Sequence, residues 1–133
     1  MNGGFNMEKG KIQAKLDEMT ADEEEITYKT DFDSDVLIRN LNTVEATVCL
    51  QKLLPYSLDD IYEIKHYRQK SQVFYRTIIK TTNYVIDCLS GISSGYSGEG
   101  PHGFYDVLKE VVDEDIASIV FDGKYDKAVI TIK

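Results

Sequence analysis

Gln72 to Leu89 reads QVFYRTIIKTTNYVIDCL. Taken as one helix, it would align Phe74, Ile78, Val85 and Leu89 in a stripe. Taken as two strands, Val73–Lys80 and Tyr84–Leu89 would meet at a turn over Thr81–Asn83. The stretch is rich in Val, Ile, Thr, Tyr and Phe, whose branched or flat side chains suit a pleated surface. Two strands are therefore expected here, and a sheet with them.

Upstream, Ser57 with Asp60 three residues on resembles a capping box. A helix is expected from Leu58 to about Arg68, aligning Leu58, Ile61 and Ile64. Thr43 to Gln51 alternates throughout, with Val44, Ala46, Val48 and Leu50 against Thr43, Glu45, Thr47 and Cys49, the pattern of a strand. Val36 to Arg39 is short and apolar. Asp31, Asp33 and Asp35 form D-x-D-x-D, but Val36 and Asn42 stand where a calcium loop needs Gly and Glu, so the triplet reads as a turn. Glu25 to Thr30 alternates and reads as a half-buried strand. The acidic run Asp22 to Glu25 reads as a solvated linker. Ile12, Leu16 and Met19 give a narrow stripe for a short helix over Met7–Met19, behind a flexible leader, Met1–Met7. Residues 1–20 thus read as leader and short helix, and 21–133 as one globular domain.

Downstream, Ser90 to Val112 reads SGISSGYSGEGPHGFYDVLKEVV. Five glycines and Pro101 precede an amphipathic helix that would bury Phe104, Val107, Leu108 and Val111. Pro101 suits a first helical position, where its missing N–H costs nothing. Ile116–Phe121 is expected as a strand, turning at Asp122–Gly123 into a closing strand, Lys127–Lys133, to make a C-terminal hairpin. The fold class is α+β: a single domain, with a mainly antiparallel sheet of five or six strands and two or three helices.

The chain has 133 residues and a formal net charge of −8, from 23 acidic and 15 basic residues. Such a surface repels phosphates over most of its area, so generic nucleic-acid binding is not expected. Cys49 and Cys88 lack CxxC neighbours and read as buried thiols, with no metal site and no cofactor implied. No window is apolar enough to span a membrane, and a cytoplasmic location is expected.

Gly98-Glu99-Gly100-Pro101-His102-Gly103 fits G-x-G-x-x-G literally. The glycines do not follow directly on a strand, and too little chain follows Asp122 for the second half of a dinucleotide fold, so a Rossmann site is not expected. A glycine-rich turn feeding a helix N-terminus still offers unpaired N–H groups and a positive dipole end to an anion. Gly95, Tyr96, Ser97, Gly98, Glu99, Gly100, His102 and Gly103 are the candidate contacts. Arg68 and Arg76, with Lys65, are the candidate cations. Glu99 opposes an anion unless it points away or takes a ribose hydroxyl. The competing reading is that the glycines only let helix and sheet pack closely. His66 and His102 are the only histidines, and no G-x-S-x-G elbow occurs, so no catalytic residue stands out and an enzyme ranks third.

Gly95-Tyr96-Ser97-Gly98-Glu99-Gly100-Pro101 followed by an apolar helix resembles the GYGGxGP-then-helix signature of small uncharacterised bacterial and phage proteins. The likeness covers about twenty residues. Ser97 stands where the signature has glycine, and His102-Gly103-Phe104 replaces its usual small and leucine residues. The resemblance implies a phage or mobile-element setting and no catalytic residue. Two functions compete. One is a non-catalytic module holding a small anionic, nucleotide-like ligand at the loop. The other is an acidic interaction or inhibitor module whose tyrosines and carboxylates meet a basic protein partner, or a second copy of the chain.

Overall fold

The computed structural model describes residues 13–29, 33–54 and 61–133. In chain order the elements are β1 (Ala14–Glu18), α1 (Ala21–Lys29), β2 (Val36–Ile38), α2 (Thr43–Leu53), β3 (Ile61–Gln69), β4 (Phe74–Thr81), β5 (Val85–Cys88), α3 (Glu99–Leu108), α4 (Glu114–Ala117) and β6 (Lys127–Ile132). Short 3-10 turns occupy Lys70–Gln72 and Ser118–Phe121. The strands form one six-stranded sheet in the order β1-β6-β3-β4-β5-β2. Every neighbouring pair is antiparallel except β2 with β5, so the sheet is mixed. The class is α+β, with four α-helices among the described residues where two or three were expected.

Gln72–Leu89 does form two strands, paired Thr77 to Cys88 and Ile79 to Ile86. Five other expectations are corrected. Thr43–Gln51 is helical, because Ala46 and Leu50 bury one face while Val44 and Val48 are exposed. Glu25–Lys29 is also helical, and Asp22 to Glu24 form its acidic first turn, which suits the helix dipole. Ala14–Glu18 is an edge strand, not part of a helix. Ile61–Gln69 is a strand, not a helix. Ile116–Phe121 is helical and 3-10, so no C-terminal hairpin forms, and β6 instead pairs with β1 and β3. Met1–Met7, Asp31 and the Ser57–Asp60 cap lie outside the described residues.

The sheet has two unlike faces. On the inner face Ile64, Ile79, Ile86 and Ile130 pack against Leu50 of α2, Phe104, Val107 and Leu108 of α3, and Ala117 of α4. On the outer face a small cluster of Met19, Tyr67, Ile78 and Val129 lies near α1. There Arg76 pairs with Asp87 and donates to the Thr27 carbonyl of α1 at 2.9 Å. Among the described residues no helix is long and apolar enough to cross a membrane.

Candidate ligand pocket at the glycine-rich loop

Along the inner face, the side chains change from apolar to polar towards the β3–β4 turn. His66 and Arg68 point inward from β3, opposite Thr77 and Tyr75 of β4, and both are fully buried. His66 Nδ1 lies 2.8 Å from Thr77 Oγ1, and Nε2 lies 2.8 Å from Ser94 Oγ. Arg68 Nη1 donates to the same Ser94 oxygen at 3.3 Å. A guanidinium can only donate, so Ser94 Oγ accepts from Arg68 and keeps both a lone pair and its own proton for the contact with His66 Nε2. A neutral imidazole donates from one ring nitrogen and accepts at the other, and both Thr77 and Ser94 hydroxyls can take either part. Burial first, and the Arg68 charge second, push the His66 pKa down to about 3, which keeps the ring neutral.

Arg68 also ties two loops together. Its Nη2 donates to the Tyr125 carbonyl at 3.0 Å and to the Lys124 carbonyl, and its Nε to Tyr125 at 3.3 Å. Lys70 Nζ donates to the carbonyls of Gly95 and Gly123 at 3.3 and 3.0 Å. The basic run in β3 is thus largely an internal clamp. Arg76 lies on the opposite face of the sheet from Arg68, since the two stand one register step apart, and it is held by Asp87 at 3.0 and 2.6 Å.

The clamp positions the loop. Gly95 has φ +88, a left-handed conformation that favours glycine, and a Cβ there would stand 2.8 Å from the Arg68 guanidinium. Its N–H donates to the Val120 carbonyl at 2.7 Å. A Cβ on Gly100 would fall 2.0 Å from Ser93 Oγ, so the start of α3 rests directly on Ser93. Gly103 faces Thr43 and Thr47 where α2 and α3 cross. The close-packing reading therefore holds at these three glycines. α3 begins at Glu99, two residues before Pro101, and no side chain caps it among the described residues.

Outside this packed layer lies an open pocket of about 380 Å³. Its walls are Val73 from the β3–β4 turn, Tyr75 from β4, Leu89 to Ser93 and Tyr96 from the loop, Glu99 and Gly100 from α3, and Thr43 from α2. Ser93 Oγ and Tyr96 OH are 2.8 Å apart. No family, curated protein or solved structure matches this chain.

Of the candidate contacts, Tyr96, Glu99 and Gly100 line the pocket. Ser97 and Gly98 flank it in the chain, and Gly95, Gly103 and Arg68 lie in the packed layer beneath. His102 turns towards Phe121, with ring centroids 4.8 Å apart. Sequence reasoning missed Thr43, Val73, Tyr75 and Ser93. Tyr75 follows from the period of β4 once His66 is placed inward; Val73 has no signal at sequence level. Ser94 and His66 stand at nucleophile–base distance, but both are fully buried and the third partner is a threonine, so they do not form a hydrolytic triad. Among the described residues no group of three His, Cys, Asp or Glu is placed to hold a metal ion.

Proposed function

We propose that the protein is a non-catalytic binding module that holds a small nucleotide-like ligand in the pocket between Tyr75, Tyr96 and the start of α3. The observation that carries this reading is the pocket itself: about 380 Å³ of open space at the most distinctive stretch of the sequence. That volume lies within the range of small-ligand sites. The uncapped start of α3 supplies N–H groups and a positive dipole end for an electronegative atom. Glu99 can accept from sugar hydroxyls, and the two tyrosines offer ring surface. The likeness of Gly95–Pro101 to the GYGGxGP signature supports a phage or mobile-element setting. Thermal-shift measurements with nucleosides and nucleotides at millimolar concentration are the test. A rise in Tm that Glu99→Lys and Tyr96→Ala both diminish is expected; a flat response across the panel defeats the reading.

A second reading has its own observation. α1 presents Asp22, Glu23 and Glu24 in its first turn and leaves Ile26 50% exposed, a combination suited to a basic protein partner. Such a partner would be captured at low salt and released as salt rises.

A further inference from the structure

Val73 is the β-branched member of three non-glycine residues with positive φ among the described residues. It ends the 3-10 turn after β3 at φ 51, ψ 43, the left-handed region that branched side chains avoid. Its side chain is 80% exposed, so little packing within the chain offsets that strain. Yet it lines the pocket beside Tyr75 and Tyr96, the latter itself 44% exposed. Unfavourable backbone kept at a site rim is a pointer to function. The rim is thus an apolar lip over a polar wall. In that wall the bonded Ser93 and Tyr96 hydroxyls share one proton between them, which leaves a second O–H free to donate. Glu99 adds a carboxylate acceptor. Among the described residues no Lys, Arg or His lines the pocket, and the guanidinium beneath it is already bonded to Ser94, Lys124 and Tyr125.

We infer that the pocket takes an uncharged ligand with one flat or apolar face and hydroxyl groups, a nucleoside in preference to its phosphate, and that Val73 contacts the flat face. This rests on the ligand reading above and narrows it. A phosphate would meet Glu99 with no cation among the described lining residues to balance it.

Calorimetric titration of the full chain with adenosine and, separately, with AMP tests the inference. Adenosine is expected to bind, with AMP about tenfold weaker, as one uncompensated like-charge contact gives. Val73→Gly and Val73→Asn both suit the left-handed turn. Each is expected to raise Tm while weakening adenosine several-fold, a combination that a purely structural residue does not give. AMP binding more tightly than adenosine, or Val73 variants with unchanged affinity, would overturn the inference and leave the pocket reading standing. If neither adenosine, guanosine, cytidine, uridine nor their monophosphates bind, both fail.

Discussion

His66 shows how a single buried side chain sets the pH range of the fold. Its pKa falls from 6.5 to about 3, first because burial penalises the imidazolium and second because Arg68 repels it. The folded chain therefore favours the neutral ring. The resulting stability is whole above pH 6.5 and is lost as pH falls towards the folded value. At pH 5 the loss is on the order of 2 kcal/mol. Urea unfolding at pH 7.5 and 5.0 should show it, and His66→Gln should flatten the difference; a wild-type midpoint unchanged between those pH values would refute it. Gly100 gives a second expectation. Its would-be Cβ meets Ser93 Oγ at 2.0 Å, so Gly100→Ala should cost about 1–3 kcal/mol. Adding Ser93→Ala removes that oxygen and should recover part of the loss, and additive effects in the double-mutant cycle would show that the contact is not the cause. The identity of these residues was legible as a list, because the loop glycines and Arg68 stand out in any reading. Their roles were not. A sequence shows that Arg68 is a cation but not that Ser94, Lys124 and Tyr125 already accept its hydrogen bonds.

Two helices explain where sequence reading succeeds and fails. α2 looked like a strand because Val44, Ala46, Val48 and Leu50 alternate with polar residues. The buried positions are Ala46 and Leu50, with Cys49 and Leu53 packed beside them, which is helical spacing. The decisive signal was at the start of the segment. Asn42 Oδ1 accepts from Glu45 N at 2.9 Å while Glu45 Oε1 accepts from Asn42 N at 3.1 Å, a full capping box. Thr20 and Glu23 make the same exchange at the start of α1, at 2.9 and 3.1 Å. Both motifs can be read directly in the sequence, and both outweigh a short alternation. Asn42→Ala should destabilise by about 1 kcal/mol, measured by urea unfolding, with Asn42→Ser close to wild type. A loss in far-UV helicity should accompany the alanine variant alone. β3 failed for the opposite reason. Its inward positions include His66 and Arg68, so a hydropathy pattern sees a gap where the strand is most buried. β5, α3 and β6 were legible because their inner residues are mostly apolar, and β4 because Tyr75, Thr77, Ile78 and Ile79 are β-branched or aromatic.

Across the whole molecule, the two faces of the sheet are held by different physics. The inner face is a broad apolar core, whereas α1 is tied to the outer face largely through polar contacts: Arg76 to the Thr27 carbonyl, Lys127 to Glu24 at 2.9 Å, and Tyr28 to Gln69. Arg76→Ala would leave Asp87 buried without its partner and should cost about 3–5 kcal/mol, whereas Arg76→Met with Asp87→Leu should recover most of it. Chemical denaturation of the three proteins decides this, and a double variant no better than the single one would count against it. Hydrogen exchange should show the α1 amides opening before those of β3 and β4. The strand order also has a temporal consequence. β6 lies between β1 and β3, yet it is the last strand of the sheet to leave a ribosome. Until residues 127–132 emerge, β3 lacks the strand that covers its edge and β1 lacks the strand it pairs with among the described residues. The edge of β3 therefore waits through residues 70–126, about half of the sequence, before the strand that covers it is made.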